Sequence, residues 1–210
     1  MKPMQNSFPK AILFDMDGVL IDSQHAWWKA INMALKCSNH QSITKEEFIN
    51  NLWGNDFKKS ITYLGIKANV FLDCKEWPAE YLKHVVLMKD AIATLSRLEK
   101  KFPLAIITNT QRFITEQVLK QFQLTNFFNA IVCADDVKKG KPAPDIIYQA
   151  CNQLDVSVSD ALVVGDTKTD FLACKHAGCH MIGMNFENNG HTIHHLSEIP
   201  EIINQLKENR

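Results

Sequence analysis

The chain has 210 residues, of which 46% are hydrophobic and 22% charged. That excludes a wholly disordered polymer and leaves enough chain to bury a core without a disulfide or metal staple. Lys plus Arg and Asp plus Glu each number 23, and the resulting net charge of zero excludes the basic field of a general nucleic-acid binder. No apolar run approaches the roughly 18 residues of a membrane-spanning helix, and residues 1–10 are too polar for a secretory signal. The expectation is a cytoplasmic protein with neither nucleic acid nor membrane as partner, its oligomeric state left open.

In chain order, Ala11-Ile12-Leu13-Phe14 comes first and is apolar on both faces, as a strand inside a parallel sheet is. From residue 23 to 87 only helical patterns follow. Trp28, Ile31 and Leu35 mark one helix, and Thr44 with Glu47 has capping-box spacing for a second through Phe48 and Leu52. Ile61 and Leu64 belong to a third that ends by Gly65, and Pro78 opens a fourth through Tyr81, Leu82 and Val85. Trp27 and Trp28 are adjacent, so only one can face the core of this segment; the other covers a site entrance or a partner. The buried-strand signature then returns at Leu104–Thr108, Ala130–Cys133 and 161–164, more weakly at 181–184. Helical stretches separate these runs: Ile114, Val118 and Phe122 share a face with Leu119, and Asp145–Leu154 and Lys168–Ala177 are helix length, with Gly178 as a stop. Residues 200–207 close the chain. Strand–helix–strand alternation means a parallel sheet flanked by helices with right-handed crossovers.

The six cysteines, at 37, 74, 133, 151, 174 and 179, form no C-x-x-C pair and read as reduced, small hydrophobes. Cys174, His176, Cys179 and His180 are close in sequence but straddle the helix end at Gly178, which argues against a zinc site. His191, His194 and His195 read as solvated surface, and Asp22 as a turn or cap residue.

In open α/β sheets, ligands sit beyond the carboxyl ends of the strands. The first such end carries Asp15 and Asp17 before Gly18, the second Thr108-Asn109-Thr110, and the fourth Gly165-Asp166 with Asp170 four residues on. Gly140-Lys141-Pro142 precedes a helix. Four carboxylates against one ammonium would raise one another's pKa values unless a hard divalent cation such as Mg²⁺ joined them. Thr108 and Lys141 then suit phosphoryl oxygens, and amides at the start of the helix after Thr110 add to that field. The chemistry indicated is phosphoryl transfer. Thr167 with Asp170 also has capping-box spacing, and Lys138-Lys139 reads as a solvated pair.

Asp15-Met16-Asp17-Gly18-Val19-Leu20, Thr108-Asn109, Gly140-Lys141-Pro142 and Gly165-Asp166 with Asp170 resemble, in order, the four motifs of the haloacid dehalogenase-like superfamily. The resemblance implies an α/β fold in which a Rossmann-like parallel sheet core, residues 1–22 and 88–210, carries an inserted α-helical cap domain, residues 23–87. It implies Asp15 as nucleophile, Asp17 as general acid and base, and Mg²⁺ held by Asp15, the Asp17 carbonyl and Asp166, with Asp170 supporting the metal or Lys141. Thr108, Lys141 and the Asn109 amide would bind the phosphoryl group. The helical insert is similar to the cap of phosphoglycolate phosphatases and β-phosphoglucomutases, although Val86-Leu87-Met88-Lys89-Asp90-Ala91 stands where such phosphatases show a Pro-Gly turn. Asp17 separates the chain from metal-free dehalogenases and from phosphonate hydrolases.

The expected function is a Mg²⁺-dependent phosphatase of a small phosphorylated metabolite. A phosphomutase shares the four motifs; a non-catalytic phosphate-binding regulatory module would have lost one of Asp15, Asp17, Lys141 or Asp166. In the insert, residues 54–59 are the expected substrate-facing loop, with Lys58 or Lys59 either meeting an anion or simply solvated.

Overall fold

The computed structural model of the chain describes residues 8–55, 57–188 and 190–208; the polar stretch 1–7 and Asp56 of the expected substrate loop lie outside them. Strand β1 (Ala11–Phe14) is fully buried and sits inside a six-stranded sheet with β4 (Leu104–Thr108), β5 (Ala130–Cys133), β6 (Ala161–Gly165), β7 (His180–Met184) and β8 (His191–Ile193). The order is β5-β4-β1-β6-β7-β8 and every pairing is parallel. This is the doubly wound Rossmann-like arrangement, and its reversal of strand order falls between β1 and β6.

The period-two alternation of the strands divides the core. Ile12, Phe14, Leu104, Ile106, Leu162 and Val164 face one side of the sheet, and Ala11, Leu13, Ala105, Ile107, Ala161 and Val163 the other. The second face is covered by α8 (Asp145–Leu154) and α9 (Lys168–Ala177) through Ile146, Ile147, Ala150, Ala173 and Cys174. The first is covered by α6 (Ala91–Leu98), α7 (Arg112–Gln121) and α10 (Ile199–Glu208), and its apolar cluster runs on into the helical insertion.

That insertion leaves and rejoins the sheet through a short ribbon. Strand β2 (Ile21–Asp22) pairs antiparallel with β3 (Val86–Leu87), Ile21 opposite Leu87 and Asp22 opposite Val86. Between them lie α1 (Gln24–Cys37), α2 (Lys45–Asn51), α3 (Phe57–Tyr63), α4 (Asn69–Asp73) and α5 (Trp77–His84). Thr44 Oγ1 accepts from the Glu47 amide to start α2, and Pro78 sits in the first turn of α5. Ala26, Ala30 and Ala34 make a small-residue stripe along the buried face of α1, letting the large rings of α5, Trp77 and Tyr81, pack close.

Several elements differ from the sequence reading. Asp22 is neither turn nor cap but a strand residue, and two-residue strands carry too little periodicity to announce themselves. His191 is half-buried in β8, an edge strand, while His194 and His195 are exposed. Cys37 and Cys74, read as reduced, are joined by a disulfide across a sequence separation of 37, because α1 packs against the α4–α5 region. The Cys174–His180 group splits: Cys179 Sγ stays against the Cys174 carbonyl at 3.8 Å, while the His176 ring meets the Pro142 carbonyl at 3.0 Å and the His180 ring packs on Phe8.

Candidate active site

The carboxyl ends of β1, β4 and β6 bring Asp15, Thr108 and Asp166 to the switch point of the sheet. The Asp15 amide donates to the Val164 carbonyl at 2.9 Å, so Asp15 continues the β1–β6 ladder and its side chain is fixed beside the β6 end. Asp15, Asp166 and Asp170 each present a carboxylate oxygen within 4.8 Å of the other two. Two glycines permit this. Gly18 has φ +80°, in the left-handed region, and a Cβ there would overlap the Asp166 carboxylate; a Cβ on Gly165 would overlap the Asp170 side chain.

Lys141 is almost fully buried, and its ammonium donates to Asp170 Oδ1 at 2.6 Å and the Ile107 carbonyl at 3.1 Å, with Asp15 Oδ1 at 2.9 Å. Burial by itself would push this ammonium down, but Asp15 and Asp170 outweigh it and hold the lysine charged above its usual range. Asp170 is wholly buried: one oxygen takes Lys141, and the other accepts from the Thr167 hydroxyl and from the Thr167 amide at 3.1 Å. The capping box at the start of α9 and the lysine contact are therefore the same carboxylate acting twice.

Asn109 clamps the lysine segment. Its Nδ2 donates to the Lys141 carbonyl at 2.9 Å while its Oδ1 accepts from the Lys141 amide at 2.8 Å. Any contact between Asn109 and a phosphoryl group thus falls to its main-chain amide. The start of α7, expected to offer amides to an anion, is already capped: Arg112 N donates to Asp135 Oδ1 at 2.9 Å. Lys58 and Lys59 are exposed and do not line the cavity, whereas Gly54, Asn55 and Phe57 of the same loop do.

Asp17 has the densest set of partners. Its Oδ1 accepts from Ser23 Oγ at 2.6 Å, Trp27 Nε1 at 2.8 Å and Tyr81 Oη at 3.0 Å; its Oδ2 accepts from Thr110 Oγ1 at 2.7 Å. Thr108 Oγ1 stands 3.4 Å from the same Oδ2 and accepts from the Thr110 amide at 3.0 Å. Sequence reasoning missed Ser23, Thr110 and Tyr81 as site residues. Ser23 and Thr110 stand beside the motifs and were within reach of that reasoning. Tyr81 is 64 residues from Asp17 and looks like any core aromatic of a helix. Burial, then the Asp17 carboxylate, push the Tyr81 hydroxyl well above the usual phenol range, so it stays a donor.

The cluster fits a divalent cation. Asp166 Oδ1 is buried with no hydrogen-bond partner, an orphan that a metal ion would satisfy. Burial, only partly offset by Lys141 and aggravated by Asp170 and Asp17, raises Asp15 to about 8; burial and then Asp15 and Asp170 raise Asp166 to about 9. Without a cation these carboxyls hold protons at neutral pH; oxygen ligands crowded this way are what Mg²⁺ takes.

The cavity above these groups reaches up into the helical insertion. Its floor is Asp15, Asp17, Thr108, Thr110 and Lys141.

The family model of haloacid dehalogenase-like hydrolases matches residues 12–184. A phosphoglycolate phosphatase of Photorhabdus laumondii is 28% identical over 191 residues, covering 86% of this chain and 82% of its own. A validoxylamine A 7'-phosphate phosphatase of Streptomyces hygroscopicus is 26% identical over 218 residues and covers 96% of both chains. In fold, CbbY of Rhodobacter sphaeroides, solved with phosphate, superposes with a TM-score of 0.79 at 21% identity over 90% of this chain and 96% of that one. The chain belongs to the haloacid dehalogenase-like hydrolases.

Proposed function

We propose, with membership of that family as the premise, that the protein is a Mg²⁺-dependent phosphatase acting on a small phosphorylated metabolite through an aspartyl-phosphate. The observation that carries the reading is the unpartnered, buried Asp166 oxygen in one carboxylate cluster with Asp15, which lines a cavity whose floor also holds Lys141, Thr108 and Asp17. Phosphatase names among its relatives agree with it.

Asp15 and Asp166, with the Asp17 carbonyl, would hold the Mg²⁺. When bound, the ion supplies charge neutralisation for Asp15 and for the phosphoryl oxygens. Asp170 has both oxygens engaged with Lys141 and Thr167, which favours it as the group that holds the lysine over a direct ligand. An Asp15 carboxylate oxygen attacks phosphorus as the bond to the leaving oxygen breaks, and Asp17 passes that oxygen a proton. Water then attacks the phosphorus of the aspartyl-phosphate and gives a proton back to Asp17. Inorganic phosphate leaves and Asp15 is restored, so one ester and one water yield one alcohol and one phosphate. Lys141 and Thr108 stabilise the negative charge of the transferring group. A phosphomutase needs a place for the second phosphate of a bisphosphate, and no cationic side chain lines the insertion half of the cavity among the described residues.

The test is phosphate release from 4-nitrophenyl phosphate by the wild-type chain and by Asp15→Asn, with and without Mg²⁺. Turnover that needs the metal and falls by about four orders of magnitude or more in the variant is the expected result, on the scale of losing a nucleophile. Turnover retained in Asp15→Asn sinks the reading.

A further inference from the structure

The cavity has two chemically different halves, and the upper one bears on the substrate. Its wall is made by Trp27, Phe48, Trp53, Phe57, Phe71 and Trp77. These rings hold one another in place. Trp27 and Trp77 stack at 5.9 Å, Phe71 meets the Trp77 edge at 6.0 Å, and Phe57 meets Phe71 at 5.2 Å. Trp27 Nε1 is engaged by Asp17 at 2.8 Å and Trp77 Nε1 by the Phe71 carbonyl at 2.9 Å, so what these two offer a ligand is ring surface.

Two polar side chains of the wall are tied down in the same way. Asn55 Nδ2 donates to the Asn51 carbonyl at 2.7 Å, and Thr169 Oγ1 donates to the Gly54 carbonyl at 3.0 Å. Among the described lining residues the only cation is Lys141, and its ammonium already sits between Asp15 and Asp170. A carboxylate carried by the leaving alcohol would lose its water here, meet no counter-charge, and lie in the field of Asp15 and Asp17. An apolar ring would bury its surface against the aromatic wall.

From this the structure assigns a substrate class: we propose that the leaving group is an uncharged alcohol bearing an apolar ring, and that an anionic alcohol such as glycolate is disfavoured. The assignment rests on the phosphatase reading above and narrows it.

The experiment compares kcat/KM for phosphate release from benzyl phosphate, 2-phosphoglycolate and glycerol 1-phosphate by the purified full chain with Mg²⁺. The three leaving alcohols are all unactivated primary alcohols, so the ratio reports the wall and not leaving-group chemistry. Benzyl phosphate is expected to exceed 2-phosphoglycolate by at least about tenfold, the discrimination that small differences in apolar contact provide. Phe57→Ala and Trp53→Ala, checked for folding by circular dichroism, are expected to pull that ratio back towards one. Equal or better use of 2-phosphoglycolate, or a preference for glycerol 1-phosphate, overturns the assignment and leaves the phosphatase reading standing. Absence of phosphate release from all three, with the wild type no better than Asp15→Asn, overturns the phosphatase reading itself.

Discussion

The floor and the roof of the cavity are built by opposite means. The floor and the groups beneath it gather Asp15 and Asp166 from two strand ends, Asp170 from the first turn of α9 and Lys141 from a loop, all ionisable, with Lys141 paired to Asp15 and Asp170. The roof gathers aromatic rings from short helices of the insertion, and they lean on one another by shape. The floor's geometry is over-determined by hydrogen bonds that a single atom can break, whereas the roof's is spread over many weak contacts. Function that needs fixed charges is therefore placed on the sheet, and function that needs a fitted surface is placed on the helices. Asp17 joins the two, since it stands in the β1 loop yet accepts from Trp27 of α1 and Tyr81 of α5.

The comparison breaks most sharply at Asp166. Asp166→Asn removes the buried oxygen without a partner and one of the crowded charges, and it is expected to lower Mg²⁺-dependent turnover by more than about a hundredfold, beyond what losing an outer-sphere partner costs. The same variant, metal-free at pH 9, should melt above the wild type, because a repulsive charge is gone. A lower melting point there would mean that the carboxylate cluster stabilises the fold.

Tyr81→Phe sharpens it next. One of three donors to Asp17 Oδ1 is removed while the ring stays, and a fall in kcat of about tenfold is expected, the worth of one hydrogen bond to a charged group. Tyr81 positions Asp17 and does not itself reach the phosphoryl group, so the pH–rate profile should shift along with kcat. An unaltered kcat and profile would show that roof and floor act independently.

A gentler effect concerns the floor alone. The folded-state values of about 8 for Asp15 and about 9 for Asp166 lie above those of an unfolded chain, so the folded state holds more protons at neutral pH. The stability of the metal-free protein is then greatest in acid and declines as pH rises through that range, levelling off above the higher value. Melting temperature measured in EDTA should fall between pH 5 and pH 9, and added Mg²⁺ should raise it more at pH 9 than at pH 6. A flat EDTA curve would contradict the crowding.

Much of this floor was legible in the chain. Asp15, Asp17, Thr108 and Asp166 end or follow apolar β runs and Lys141 precedes a helix, and a parallel sheet puts its strand ends and helix starts on one edge, so linear spacing converts directly into proximity. Thr167 and Asp170 were readable as a helix start, and the structure shows the capping carboxylate also holding Lys141. The insertion was legible only as helices. Which helix faces the site, that Trp27 turns inward while Trp28 donates to the Ile43 carbonyl, and that Lys58 and Lys59 are exposed and outside the cavity lining, depend on how five short helices pack.

The sequence by itself determined a parallel sheet flanked by helices, the order of its motifs and the acidic strand ends, because periodicity and backbone hydrogen bonding are local and repeat in every strand. Only the tertiary structure decided that Tyr81 reaches Asp17, that Cys37 meets Cys74, and that the described residues walling the chamber over the acids are largely aromatic and uncharged. Each of those brings together residues tens of positions apart on helices whose mutual angles are set by side-chain packing, and packing is a property of the assembled surface that no short stretch of chain contains.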